Sequence, residues 1–289
     1  MKLTTRSLSP QESRVILALT ERKRQETTRA EIVDLLGGSL KAADHVIQGL
    51  RRKGWLERAA WGEYLLVPPD QGPDALGDSN LLARASRIAD PYYIGYGSAA
   101  AHYGLTTQHR SVIFVVTPVR LRPREVGDSQ VRIVNVTEKK FLGFQPIDVL
   151  GYKVMMSDRE KTGIDCIDRP DLAGGIGEAG TIFATACRRF DWNKAAQYLE
   201  RMQSGALARR FGWFSDHVKA DMPSPVRERV MQVARKNRRA WLGPDPARAH
   251  AAPEAIGMDD TWRIFVNVAR AELRDSAGLG HRKSLQKDN

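Results

Sequence analysis

The sequence predicts an α+β protein of more than one domain, and three observations carry that prediction. At 289 residues the chain exceeds the roughly 100 to 200 typical of one domain. Its first seventy residues read as three short amphipathic helices followed by an aromatic, alternating run. Beyond a break rich in proline, glycine and aspartate at 68–78, short strand-like runs give way from Ser157 onward to nearly continuous helical text. The expected division is a first domain over 1–69, a linker over 70–79, a mixed α/β domain over 80–279 that ends in a helical half, and a frayed tail over 280–289.

The first helix is expected over 8–20, where Ser9 can cap it and Pro10 fits its first turn, with Val15, Ile16, Leu17 and Leu19 as its apolar residues. A second, over 28–36, keeps Ile32, Leu35 and Leu36 on one side and stops at Gly37-Gly38. The third, over 39–53, spaces Leu40, Ala43, Val46, Ile47 and Leu50 by three and four, which builds one apolar stripe. Residues 55–67 then form two strand-like pieces about a turn at Gly62. Helix, tight turn, basic helix and hairpin, in that order, are the layout of a winged helix-turn-helix.

In the second domain a helix near 81–88 precedes strands over 92–95, 111–117, 131–136 and 151–156, with a small helix at 98–103. Ser157 to Glu160 has capping-box spacing and opens a helix to about residue 167. Further helices are expected over 178–189, 193–203, 206–218 and 225–241, and a last strand over 262–268.

The chain carries a formal charge of +11, which favours polyanionic partners, nucleic acid first and an acidic protein second. With the apolar stripe of the third helix turned inward, Lys41, Ala42, His45, Gln48, Gly49 and Arg52 face outward, so Lys41, His45, Gln48 and Arg52 are candidates to read base edges in a major groove. Thr28, Arg29, Arg51, Lys53, Arg58 and Trp61 are candidates for backbone or wing contacts. Residues 1–70 nonetheless carry only twelve basic against nine acidic residues, so much of the excess lies elsewhere. A second cluster, Arg227, Arg229, Arg235, Lys236, Arg238 and Arg239 against the single acid Glu228, is either a solvated helix face or a second polyanion or partner surface.

Signs of catalysis are weak. Gly175 to Gly180 matches G-x-G-x-x-G, but neither the preceding strand nor the acidic residue of a dinucleotide fold accompanies it. Asp128 and Glu138 flank a strand that would hold them about 30 Å apart, too far for one metal. Asp158, Glu160, Asp165 and Asp168 share a helix, where capping and solvation explain Asp158 and Glu160. The six histidines lack ligand spacing, and Cys166 and Cys187 have neither metal nor redox spacing. No cofactor, no metal and no enzymatic activity are expected, and a metal-dependent nuclease stays as the minor alternative. The N-terminus lacks a signal-peptide stretch and no apolar run reaches the ~18 residues of a membrane span, so a cytoplasmic protein is expected.

The run from Asp90 to Leu105, DPYYIGYGSAAAHYGL, the run from Gly151 to Gly175, GYKVMMSDREKTGIDCIDRPDLAGG, and residues 262–268, together with the N-terminal pattern, resemble the AbiEi family. These are the antitoxins of AbiE-type abortive-infection toxin-antitoxin systems. The resemblance covers nearly the whole chain. It implies an antitoxin and autorepressor whose winged helix binds inverted repeats in double-stranded DNA of its own promoter, and whose second domain counteracts a nucleotidyltransferase toxin. A winged-helix regulator without a toxin partner is the other reading.

Overall fold

The computed structural model describes residues 7–277 except 23, 25, 61, 68–80, 83–84, 109–111, 121–130, 150–151, 236–239 and 245–254. The expected linker and tail lie outside these residues. The architecture mixes helices with several small sheets. No helix among the described residues is long and apolar enough to cross a membrane. Two compact units divide the chain, one of residues 1–90 with 147–154, the other of residues 91–146 with 155–289. Residues 81–90, expected in the second domain, therefore group with the first unit, where Arg87 forms ion pairs with Glu26 and Glu63.

The first unit opens with α1 (Pro10–Glu21), capped as expected by Ser9. Glu12 completes the box by accepting the Ser9 backbone N–H at 2.7 Å. A short strand β1 (Glu26–Thr28) leads into α2 (Arg29–Leu35), and α3 (Leu40–Arg52) follows. Gly37 and Gly38 take φ of 80° and 89° between α2 and α3, a left-handed backbone that side chains resist. The hairpin is β2 (Leu56–Ala60) and β3 (Glu63–Leu66), antiparallel, and β1 pairs on the other side of β3. Val15, Ile16, Leu19, Ile32, Val46, Ile47, Leu50 and Leu56 close one core between the helices and the sheet.

Two expected core residues face solvent instead: Leu17 is 59% and Leu40 55% exposed. Leu17 follows two buried neighbours, so the turn of the helix carries it off the inner face, and Leu40 sits at the first position of α3, outside the packed stripe. Gly49, expected outward, is buried, because α1 crosses there and the Glu12 carboxylate occupies the space a side chain would take.

Strands β4 (Tyr93–Ile94), β5 (Ile113–Thr117), β6 (Val131–Asn135), β7 (Phe144–Val149) and β8 (Tyr152–Ser157) form a sheet in the order β6-β5-β4-β8-β7; all of it belongs to the second unit except residues 147–149 of β7 and 152–154 of β8, which group with the first. The pairs β5–β6 and β4–β8 are parallel and β4–β5 is antiparallel. Helix α4 (Tyr96–His102) lies between β4 and β5 in sequence. The helical half comprises α5 (Arg159–Asp168), α6 (Ile176–Cys187), α7 (Trp192–Met202), α8 (Gly205–His217) and α9 (Ser224–Ala234), which share a large apolar core with the hairpin β9 (Ala255–Asp259) and β10 (Ile264–Ala269). A short α10 (Arg270–Leu273) follows.

Several expectations change here. The cap of α5 is Asp158, which accepts the Lys161 N–H at 2.8 Å, while Ser157 instead bonds Thr162 at 2.8 Å and Glu160 turns to the Asp191 N–H. The helix expected to Trp241 ends at Ala234. Trp241 pairs with Phe265 in a β-bridge, held by Leu242 N–H to Phe265 C=O at 3.0 Å and Phe265 N–H to Ala240 C=O at 2.9 Å. The glycine run is not only a turn: α6 begins at Ile176 and runs through Gly177 and Gly180. A Cβ on Gly177 would stand 2.2 Å from the Glu272 carbonyl oxygen, so the glycine permits α10 to lie against α6. Gly177→Ala should therefore destabilise the protein by about 1–3 kcal/mol despite alanine's better helix propensity. Thermal unfolding that leaves the melting temperature unchanged or raised would refute this.

Candidate nucleic-acid interface

Helix α3 follows Gly38 and its Ser39 cap, and its inner stripe of Ala43, Val46, Ile47 and Leu50 fixes how the rest of the helix points. Lys41, His45, Gln48, Arg51 and Arg52 are all exposed. Positions 41, 45, 48 and 52 advance by four, three and four, so they line one edge of the helix, with Arg51 beside its last turn. None of these five side chains has a hydrogen bond or ion pair to another described residue. Donors thus stand free along about 16 Å of helix, at 1.5 Å per residue.

The neighbouring cations are engaged differently. Arg29, expected as a phosphate contact, grips Asp44 of α3 with two bonds of 2.7 Å. That pair ties the start of α2 to the side of α3. Lys53, the C-cap of α3, donates to Glu12 at 2.6 Å, which leaves its ammonium bound to α1. Thr28 caps α2 by accepting the Glu31 N–H at 3.2 Å. The acids responsible, Asp44 and Glu12, lie far from these cations in sequence, so linear charge counting could not assign the pairs. Arg58 sits on β2, and Trp61 lies outside the described residues. The turn at Gly62 accepts the Arg29 N–H at 2.8 Å, which joins the hairpin to the start of α2.

Glu12 adds a pH dependence to this unit. Burial, the largest influence, disfavours its charge, yet the Lys53 ammonium and the Ser9 N–H and hydroxyl more than offset it and hold the carboxyl below its ordinary 4.5. A carboxyl lowered on folding contributes stability that is full above about pH 4.5 and is lost as pH falls through its folded value. Glu12→Gln should then cost about 1 kcal/mol at pH 7 and much less near pH 3. Equal losses in thermal melts at the two pH values would show that the Lys53 pair contributes nothing.

The second basic cluster is broken up. Arg227 holds Asp216 with bonds of 2.5 and 2.7 Å and lies 4.9 Å above the Trp262 ring. Arg229 clasps Glu200 at 2.8 and 2.9 Å. These two are fastenings between α9 and the helices α8 and α7, and not an open polyanion surface. Arg235 is exposed at the C-cap of α9, while Lys236, Arg238 and Arg239 lie outside the described residues.

The acids at and in α5 are each engaged by other side chains. Asp158 and Glu160 share the Lys194 ammonium at 3.0 Å each, Asp158 also accepts from Tyr198 at 2.6 Å, and Asp168 pairs with Lys140. Asp165 pairs with Lys161 and accepts the Tyr93 hydroxyl at 3.0 Å; Lys161 also donates to Tyr93 at 3.0 Å and is fully buried. Burial raises both the Tyr93 hydroxyl and the Asp165 carboxyl from their ordinary values, the latter against the pull of Lys161. The triad, with no exposed lysine atom, joins β4 to α5. Its signal in the sequence is a lysine and an aspartate four apart, Lys161 and Asp165, which helical period places on one face. Among the described residues, no group of three His, Cys, Asp or Glu side chains could hold a metal ion. Asp128 lies outside them, and Glu138 begins a 3-10 turn.

No family model and no curated protein sequence matches the chain. The fold is similar to the crystal structure of the RV2827C protein from Mycobacterium tuberculosis, with a TM-score of 0.66 at 17% identity over 94% of this chain and 96% of that one.

Proposed function

We propose that the protein is a DNA-binding autorepressor and antitoxin whose first unit is a winged helix-turn-helix. In this reading α2 and α3 are the helix-turn-helix, β2 and β3 the wing, and α3 the element that enters a major groove. The observation that carries it is the exposed line of Lys41, His45, Gln48 and Arg52, bonded to no other described residue, beside cations that internal acids have neutralised. A side chain that reads DNA must be unpaired, pointed outward and fixed at its base, and this line meets all three conditions. Arg51 supplies a backbone contact next to it. Arg29 and Lys53 hold the reading helix in place instead of touching phosphate.

The antitoxin half rests on the likeness of residues 90–105, 151–175 and 262–268 to the AbiEi family. On that reading the protein works in the cytoplasm, without a cofactor or catalysis of its own, against a nucleotidyltransferase toxin made from the same operon. Co-expression with the adjacent toxin gene tests it: relief of growth arrest supports the reading. Footprinting on the DNA upstream of the operon tests the other half, with protected inverted repeats as the expected pattern. Protection without relief would leave a winged-helix regulator that has no toxin partner.

A further inference from the structure

The four side chains lined up along α3 differ in what they can offer a base. Lys41 and Arg52 donate hydrogen bonds and accept none. His45 has a ring N–H in either tautomer, and Gln48 alone carries an amide donor beside a carbonyl acceptor. Asp44 is the single acid of the helix, and both of its oxygens are engaged by the Arg29 guanidinium at 2.7 Å each. A carboxylate without a cation there would accept from cytosine and repel phosphate; this one already has its cation. The edge of α3 therefore presents donors at both ends and a mixed donor and acceptor group between them.

Base pairs in a major groove answer these groups unequally. Guanine offers two adjacent acceptors, N7 and O6, to an arginine or a lysine. Adenine sets the N7 acceptor beside its amino donor, which is the complement of a glutamine amide. Cytosine shows only a donor, which meets nothing on Lys41 or Arg52, and thymine shows one acceptor beside a methyl group. Length adds a second constraint. Lys41 to Arg52 spans about 16 Å of helix, and base pairs stack about 3.4 Å apart, so the line covers about five base pairs. Gln48 stands about 6 Å before Arg52, which is about two base-pair steps. The stripe of Ala43, Val46, Ile47 and Leu50 fixes α3 on the core and the Arg29–Asp44 pair fixes it to α2, so these spacings are built in.

On the reading of α3 as the helix that enters the groove, on which this rests, we infer which bases it takes. The preferred DNA carries, within about five base pairs, a G·C pair at each end, read at guanine by Lys41 and by Arg52. Between them, about two steps from the pair that Arg52 reads, it carries an A·T pair read at adenine by Gln48. His45 donates to the N7 acceptor that guanine and adenine share, so it asks for a purine without choosing between the two. Gln48 and Arg52 are then the residues that determine specificity, for adenine and for guanine in turn.

The test is selection of a randomised duplex library by the full chain, followed by single-atom changes in the selected duplex. Enriched sequences should share the two G·C pairs and the A·T pair at these spacings. Placing 7-deazaguanine or 7-deazaadenine at those pairs removes the N7 acceptor and keeps the base pairing, and each should weaken binding about fivefold or more. Gln48→Ala should select duplexes in which the A·T position varies while both G·C pairs persist; Arg52→Ala should release the G·C pair nearest to it and keep the adenine. Both side chains are exposed and bonded to no other described residue, so the variants should melt with wild type. Enrichment of other pairs at these positions, affinity indifferent to the deaza bases, or selections unchanged in both variants overturns the assignment of bases and leaves α3 a DNA-reading helix. Enrichment of no sequence at all overturns that reading itself, and the assignment with it.

Discussion

Arg52→Ala should weaken binding to DNA carrying the operon's own inverted repeats by about 1–3 kcal/mol, the value of one bidentate arginine–guanine contact. Arg52 is exposed in the last turn of α3 and bonded to no other described residue, so its loss leaves the helix folded and takes away only what it offers the groove. Two neighbours give the contrast. Arg29→Ala and Lys53→Ala delete comparable charge, but each also breaks an internal pair, with Asp44 and with Glu12, and should lower the melting temperature as well. A gel shift at fixed salt separates the cases: a stable protein that binds poorly for Arg52→Ala, a less stable one for Lys53→Ala. Unchanged affinity for Arg52→Ala removes it from the reading face. Salt dependence adds a second readout, since loss of a phosphate contact reduces the slope of log affinity against log salt by about one, whereas loss of a base contact relaxes sequence preference.

Breaking the buried triad should have the larger effect on stability. Asp165→Ala leaves the Lys161 ammonium with no carboxylate in a site from which water is excluded, and the expected cost is about 3–5 kcal/mol. Replacing both partners together, Lys161→Met with Asp165→Leu, removes the charges in pairs and should recover most of that loss. Urea unfolding of wild type, single and double variants measures it. If the double variant is as unstable as the single, packing rather than ion pairing holds β4 against α5. Tyr93 would remain in either variant, stacked on Phe144 at 5.1 Å between centroids.

Much of the fold was legible because its signals are local. Ser9-Pro10, the glycine pair at 37–38 and the three-and-four spacing of Ala43, Val46, Ile47 and Leu50 each act over one or two turns, and each leads to the element found. Strands were harder. β1 has three residues and exists only because β3 pairs with it, and β7 contains Pro146, which argues against a strand until an edge position accommodates it. β9 carries Gly257 and alternates partly buried with exposed positions, and pairing with β10 reveals it.

The candidate site divides the same way. Exposure along α3 follows from helical period, so Lys41, His45, Gln48 and Arg52 could be placed outward from the sequence. Which cations are already spent could not. Arg29 finds its acid fifteen residues away, Lys53 forty-one, Arg227 eleven and Arg229 twenty-nine, across helix contacts that no local pattern encodes. Gly49 shows the limit of period alone, since the helical wheel turns it outward and only the crossing of α1 buries it.

The most direct measurement is fluorescence anisotropy of a labelled duplex from the DNA upstream of the gene, titrated with wild type and with a variant carrying alanine at Lys41, His45, Gln48 and Arg52. Circular dichroism and thermal melting establish that the variant is folded. Wild type should bind this duplex well above a scrambled one of equal length, and the folded variant should bind both weakly and alike. Equal affinity of wild type for the two duplexes, or full affinity in the variant, would contradict the assignment of α3 as the element that reads DNA.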